Sequence, residues 1–189
     1  MRPNGRWLVV QFYDPLGYDA GVTRRSVEAI VDALNVAGVR YLIAGGLAVV
    51  AHGYVRFTAD VDLILDLDPD NVRRAIEALE AIGYQPRAPV AFREFADAVS
   101  REQWRRERNM TVFSLYSDAH AATEINLFID SPLDFESAYD VAVRMEVAPG
   151  VEAVFVGYRD LLRLKERAGR ATDLDDIRQL KAIHGDAGD

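Results

Sequence analysis

The sequence predicts a mixed α/β fold, with a mixed β-sheet flanked by helices and further helices at the C-terminal end. Short apolar runs of strand length alternate with longer segments of helical period. The early order of elements is strand, helix, strand, helix, which favours crossover connections. Later strands flank a Pro149-Gly150 turn typical of a hairpin. Since crossovers and hairpins give opposite pairings, a mixed sheet is expected rather than a fully parallel one.

The elements are predicted in chain order from periodicity and from their end signals. A first helix covers residues 23–36, and Gly38 follows as its C-terminal glycine. The strand that begins near Asp60 alternates cleanly between polar and apolar residues. The other predicted elements are a strand over 41–44, a helix over 47–52, a strand over 61–67, a helix from the Asp68-Pro69 cap to Gly83, a helical region over 91–108, strands over 110–115 and 123–129, a helix over 135–142, hairpin strands over 144–147 and 151–156, and helices over 159–168 and 173–184.

The length and composition predict one globular domain. The chain has 189 residues, half of them apolar, and we expect an N-terminal extension over 1–21 before a single domain over 22–189, which includes a C-terminal helical segment over 158–185. The net charge of −8 argues against stable coating of DNA. There is no Cys, which excludes disulfides and thiol nucleophiles. No apolar run is long enough for a membrane span, so a cytoplasmic protein is expected.

A glycine pair separates the first predicted strand from the helix that follows it. Gly45 and Gly46 allow the backbone to approach a ligand closely, and the N-terminus of a helix attracts anions. This combination is typical of a phosphate site. The alternative is a tight turn with no ligand.

Three carboxylates lie on predicted strands. Asp60 and Asp62 share one strand face because side chains alternate with period two. Two such carboxylates repel each other unless a cation lies between them, and their oxygens suit Mg²⁺ or Mn²⁺. Glu124 and Asn126 share the polar face of a later strand, and Glu124 joins the same site if the two strands are neighbours. The alternative for each carboxylate is a solvated strand position.

This order of motifs resembles the nucleotidyltransferase superfamily of the DNA polymerase β type. More particularly, residues 41–65 and 160–180 are similar to the AbiEii/AbiGii-type toxin nucleotidyltransferases, and with Glu124 the resemblance covers about 22–184. Two features depart from that pattern. Glu124 stands where Asp is commoner, and Gly46 replaces a frequent serine.

The resemblance implies a nucleotidyltransferase-like sheet and transfer of a nucleoside monophosphate (NMP) from a nucleoside triphosphate (NTP). It implies catalytic and metal-binding roles for Asp60, Asp62 and Glu124, with Mg (or Mn) as the cofactor. It also implies nucleotide-binding roles for these residues: Gly45, Gly46, Arg56, Thr58, Lys165, Arg170 and Asp173. The residues alone leave other interpretations open, since Lys165 could extend to solvent and Asp173 could cap a helix.

The expected partners are an NTP substrate, an RNA or protein acceptor, and an antitoxin protein if the chain is the toxin of a toxin–antitoxin pair. A first alternative is a catalytically weak module of the same fold that binds a nucleotide or a partner, which Asn126 leaves open. A second is a glycosyltransferase that holds Mn²⁺ with its Asp-x-Asp pair. The C-terminal element has no place in the second alternative.

Overall fold

The computed structural model describes residues 23–185, so the predicted extension over 1–21 and the last four residues lie outside the described part. The described part contains seven strands, seven α-helices and one 3₁₀ helix. The helices are α1 (Arg24–Val36), α2 (Gly45–Ala51), α3 (Pro69–Ala81), a 3₁₀ helix (Phe92–Ala96), α4 (Ala98–Arg108), α5 (Phe135–Asp140), α6 (Tyr158–Ala168) and α7 (Ala171–His184). The strands are β1 (Tyr41–Ile43), β2 (Asp60–Leu65), β3 (Gln85–Pro86), β4 (Val112–Tyr116), β5 (Glu124–Phe128), β6 (Val143–Ala148) and β7 (Val151–Phe155).

The strands form one mixed sheet in the order β3-β4-β5-β2-β1-β7-β6. The β2–β5 and β1–β7 pairs are parallel, and the other neighbours are antiparallel. The predicted mixed sheet is therefore confirmed. The β2–β5 pairing places Asp60 opposite Glu124 and Asp62 opposite Asn126. The polar positions of two strands distant in sequence thus meet near the middle of the sheet.

The helices pack in two groups that together enclose the core. The first group pairs α1 with α3, and α1 also contacts β6 and β7. In the second group α2 lies against β2 and α6, and α6 packs on α7. The alternate residues of β4 and β5 are buried, while those between them are partly exposed. One sheet face therefore packs into the core, and the other stays partly open beside β5.

Several predicted element bounds shift by one to three residues, and three further differences from the structure have a local physical cause. The helix expected at 47–52 begins at Gly45, which has a φ of +60° that a residue without a Cβ adopts readily. The helical region expected over 91–108 is interrupted at Asp97, whose side chain accepts hydrogen bonds from two amides and caps α4. The short edge strand β3 was not expected, because two residues carry too little periodicity to detect.

Among residues 23–185, no helix is both long and apolar enough to cross a membrane.

Candidate active site

One amide side chain joins the two aspartates of β2. The Nδ2 group of Asn126 donates hydrogen bonds to Asp60 Oδ2 at 3.0 Å and to Asp62 Oδ1 at 3.1 Å. Because carboxylates only accept, the Nδ2 end of the amide faces the aspartates, and the Ser114 hydroxyl on β4 donates to Asn126 Oδ1 at 2.8 Å. Asn126 therefore holds two like charges together across the β2–β5 pair.

The surroundings of the Asp62 carboxyl oppose its ionisation. Burial, and after it the charge of Asp60, raises its pKa from 3.8 to about 6. The hydrogen bond from Asn126 and the positive charges of Lys165 and Arg170 partly oppose this rise. A buried carboxyl beside a second carboxyl is stabilised in its charged form by any cation that reaches both.

Glu124 lies on the same strand as Asn126, but its carboxylate turns toward a neighbouring arginine. It forms an ion pair with Arg87, which follows β3, and both side chains are about half exposed. The Arg87 guanidinium also lies 5.4 Å from the centre of the Tyr116 ring. The structure thus places Glu124 beside Asp60 in register, with its charge already paired.

The backbone of Gly45 lies against Asp62, and that of Gly46 lies against Thr58. A Cβ on Gly45 would overlap Asp62 Oδ2, and a Cβ on Gly46 would overlap the Thr58 hydroxyl. Thr58 in turn donates to Asp60 Oδ1 at 3.3 Å. Neither glycine position tolerates a side chain without movement of the site. This is the close approach that the glycine pair predicts.

We expect Gly45→Ala to cost more stability than Gly38→Ala. The two glycines have nearly the same φ, +60° and +62°, but a Cβ on Gly38 meets nothing within 4 Å. Each alanine bears the backbone strain of a left-handed conformation, about 1 kcal/mol. Only Gly45→Ala also displaces Asp62, which adds about 1–3 kcal/mol. Urea unfolding of both variants measures the difference, and equal losses would contradict the contact.

A buried charge network in α6 and α7 lies behind the glycine helix. Lys165 Nζ is 2.8 Å from Asp173 Oδ1 and 2.8 Å from Asp176 Oδ2, and all three side chains are almost fully buried. Asp176 also pairs with Arg56, with Oδ1 at 2.8 Å from Nε. A Cβ on Gly46 would lie 3.1 Å from the same guanidinium. The network therefore links the C-terminal helices to the start of α2.

Arg170 forms the exposed end of this network. Its Nε lies 2.7 Å from Asp173 Oδ2, while 72% of its side chain is exposed. Burial opposes ionisation of Asp173, but hydrogen bonds from Arg170 and Lys165 outweigh it and lower its pKa to about 2. Asp62 and Asp60 are among the charges that raise the pKa of Arg170. Arg170 therefore joins the C-terminal helices to the aspartate pair electrostatically.

The donor set suits a divalent cation at the aspartate pair. Asp60 and Asp62 accept hydrogen bonds from one nitrogen, so their carboxylates face a common point. Oxygen ligands of this kind bind Mg²⁺ and Mn²⁺. Within residues 23–185, no three His, Asp or Glu side chains are already arranged as a metal centre. Glu124 would have to leave Arg87 to complete one.

We expect Asn126→Asp to destabilise the protein when no divalent cation is present. The change removes the donor that bridges Asp60 and Asp62 and adds a third negative charge beside them. A loss on the order of 2 kcal/mol at pH 7 is expected, to be measured by thermal unfolding in EDTA. Addition of Mg²⁺ is expected to restore more stability to this variant than to wild type. The same loss with and without Mg²⁺ would contradict the assignment.

The structure brings the predicted site residues into one region and adds four others. The first group consists of Gly45, Gly46, Arg56, Thr58, Asp60, Asp62, Lys165, Arg170 and Asp173, with Glu124 at its edge. Two buried carboxylates, those of Asp173 and Asp176, hold the Lys165 ammonium group. The residues that sequence reasoning missed as participants are Asp176, Asn126, Ser114 and Arg87. Of these, only Asn126 gave a sequence signal, as the polar residue two positions after Glu124.

Comparisons with known proteins agree on the fold. No protein-family model matches the sequence, and no curated protein matches it. The lincosamide antibiotic adenylyltransferase LnuA, solved with lincomycin bound, superimposes with a TM-score of 0.58 at 18% identity, over 86% of this chain and 99% of its own. ANT(2")-Ia, solved in complex with adenylyl-2"-tobramycin, gives a TM-score of 0.53 at 14% identity, over 86% of this chain and 89% of its own.

A third solved structure shows the same likeness. An antigenic nucleotidyltransferase-like protein from Paracoccidioides brasiliensis gives a TM-score of 0.51 at 16% identity, over 85% of this chain and 75% of its own. At such identities the likeness concerns the fold. The chain has the nucleotidyltransferase fold, which confirms the resemblance to that superfamily at this level. The closer resemblance to AbiEii/AbiGii-type toxins stays a prediction.

Proposed function

We propose that the protein is a Mg²⁺-dependent nucleotidyltransferase that moves an NMP from an NTP to an acceptor hydroxyl. One observation carries the proposal. Asp60 and Asp62 are held side by side by Asn126 against the Gly45 backbone. A solvated strand edge would not hold a part-buried Asp62 beside a second carboxylate, because desolvation and repulsion both cost stability. This geometry supports a cation-dependent phosphate site.

In this reaction the acceptor oxygen forms a bond to the α-phosphorus, and the bond from that phosphorus to the bridging oxygen breaks. Pyrophosphate leaves with the electron pair. Asp60 and Asp62 would hold the cation, which when bound neutralises phosphate charge. Glu124, the third carboxylate in register, would accept the proton of the acceptor hydroxyl once it is free of Arg87.

The nucleotide side of the site is assigned to α2 and the C-terminal helices. In the proposal the backbone at Gly45 and Gly46 binds phosphate oxygens, and Thr58 and Arg56 border Gly46. Arg170 is exposed and close enough to interact with both aspartates, so we assign it to a phosphate group. In the proposal Lys165 and Asp173 position Arg170 rather than touch the nucleotide.

The acceptor is proposed to be an RNA or protein hydroxyl, and the chain to be the toxin of a toxin–antitoxin pair. These finer assignments rest on the sequence resemblance. A second candidate is a module of the same fold that binds a nucleotide or a partner with weak turnover or none. The pairing of Glu124 with Arg87 favours that candidate, because it withholds the third carboxylate.

The test incubates the protein with Mg²⁺, total cellular RNA and each NTP in turn, labelled at its α-phosphate. Transfer of the label is measured. One control contains EDTA, and the other uses the Asp60→Asn variant. Label on RNA or on the protein itself, lost in both controls, supports the enzyme. Tight NTP binding with neither label transfer nor pyrophosphate release would support the binding module instead. A preference for sugar nucleotides would contradict both.

A further inference from the structure

A row of polar side chains continues from the aspartates to the edge of the sheet. Ser114 lies opposite Asn126, and the Arg87 amide donates to the Ser114 carbonyl at 3.0 Å. Tyr116 is two positions after Ser114 and therefore shares its face, opposite Gln85. These side chains lie on the face that is partly exposed beside β5. The row forms a surface that the nucleotide site does not use.

The position of this row relative to β2 indicates the side from which an acceptor approaches. In the sheet, β2 lies between β1 and β5. The glycine helix α2 follows β1, so the proposed phosphate cradle approaches the aspartates from the β1 side. An in-line displacement places the attacking oxygen opposite the leaving pyrophosphate. The acceptor therefore approaches from the β5 side, across β4 and β3.

Arg87 is the positive group on that approach. Its side chain is 56% exposed, and its guanidinium lies over the Tyr116 ring. Stacking on an aromatic ring restricts the guanidinium, and its five N–H donors exceed what the one carboxylate of Glu124 can use. A planar guanidinium held in this way binds phosphate or carboxylate oxygens in a bidentate manner.

We propose that Arg87, supported by Tyr116, is the acceptor-binding residue and that the acceptor carries an oxyanion, a phosphate or a carboxylate, close to the reacting hydroxyl. The inference rests on the proposed function, since it needs an acceptor. It deepens that function by naming the chemistry of the acceptor. Binding of the oxyanion also supplies Arg87 with a new partner in exchange for Glu124, which then faces the attacking hydroxyl.

The test compares three small acceptors that differ only in the group beside their hydroxyls: glycerol 3-phosphate, glycerate and glycerol. Transfer of labelled NMP to each is measured with Mg²⁺ in glycerol-free buffer. Wild type is expected to use glycerol 3-phosphate or glycerate at least about tenfold better than glycerol, expressed as kcat/KM. Which of the two is preferred identifies phosphate or carboxylate as the source of the oxyanion.

Arg87→Gln tests the role of this arginine. The measured quantity is the kcat/KM for glycerol 3-phosphate or glycerate divided by the kcat/KM for glycerol. In Arg87→Gln this ratio is expected to fall to about one, even if all the rates change. Arg93→Gln is the matched control, because Arg93 is an exposed arginine in the neighbouring 3₁₀ helix, and its ratio is expected to stay at the wild-type value. A binding measurement accompanies the assay: glycerol 3-phosphate, and not glycerol, is expected to shift the Arg87 Nε–H signal in NMR spectra.

The possible outcomes distinguish a failure of the acceptor assignment from a failure of the proposed function. Equal use of all three acceptors, or an unchanged ratio in Arg87→Gln, overturns the inference and leaves the proposed function standing. The same holds if no acceptor is labelled while the NTP is hydrolysed to NMP. Absence of both transfer and hydrolysis overturns the proposed function, and the inference with it.

Discussion

Asp62→Asn is expected to lower NMP transfer by about 10³-fold or more. Loss of one carboxylate from the cation pair removes several kcal/mol of charge stabilisation at the phosphate, and each 1.4 kcal/mol is about tenfold in rate. The asparagine keeps the shape of the side chain and can still accept the hydrogen bond from Asn126. The loss should therefore appear in kcat with the fold intact, as measured by label transfer and circular dichroism.

The same variant should be more stable than wild type when the cation is removed. The pKa of Asp62 is raised from an ordinary value of 3.8 to about 6 in the folded protein, so its ionisation opposes folding. This cost is absent below pH 4, grows through pH 6 and is fully present above it. Asp62→Asn should thus match wild type near pH 4 in EDTA and exceed it at pH 7 by on the order of 2 kcal/mol.

Glu80→Gln controls for the loss of one negative charge, because Glu80 is an exposed residue of α3 away from the site. Its free energy of unfolding should follow wild type across this pH range. Added Mg²⁺ should stabilise wild type but not Asp62→Asn. Retained NMP transfer in Asp62→Asn would contradict the site assignment. A melting temperature lower than that of wild type in EDTA at pH 7 would contradict the cost of ionising Asp62.

Lys165→Met is expected to lower the free energy of unfolding by about 3–5 kcal/mol. Methionine fills a similar volume but leaves Asp173 and Asp176 buried together without their shared cation. The difference should shrink as pH falls from about 4 toward 2. The lowered pKa of Asp173 contributes stability to wild type that is lost over that range. Urea unfolding at several pH values measures the effect.

Arg163→Met is the matched control on the same helix. Arg163 pairs with Asp160 at 3.1 Å, but 76% of its side chain is exposed, so its loss should cost less than about 1 kcal/mol. If Lys165→Met proved as stable as this control, Asp173 and Asp176 would have to be stabilised by other partners. The buried network would then not hold α6 and α7 together.

The strand periodicity was sufficient to predict the aspartate pair and its neighbour. Alternation alone placed Asp60 and Asp62 on one face and Glu124 on another strand, because period two is a local property of the backbone. Their adjacency could not be derived in the same way. It depends on β2 pairing with β5 in parallel, across residues 66–123, and sequence periodicity contains no register information between distant strands.

Side-chain partners were the least predictable part. Lys165 looked like a candidate phosphate ligand, yet its charge is satisfied by two carboxylates of α7, five and eight residues beyond the end of its own helix. Glu124 looked free, yet Arg87, directly after the two-residue edge strand β3, forms an ion pair with it. Each partner comes from an element whose placement depends on tertiary packing. Pattern reasoning identified the chemical types and could not assign the pairs.

The pairing of β2 with β5 also has a consequence for how the chain folds. The β4–β5 and β6–β7 pairs join strands that are close in sequence, so they can form early and at low entropic cost. The β2–β5 pair joins strands separated by residues 66–123, so its closure costs more chain entropy. Asp60 and Asp62 meet Asn126 only when that non-local pair forms, so a growing or partly folded chain without it has no assembled site.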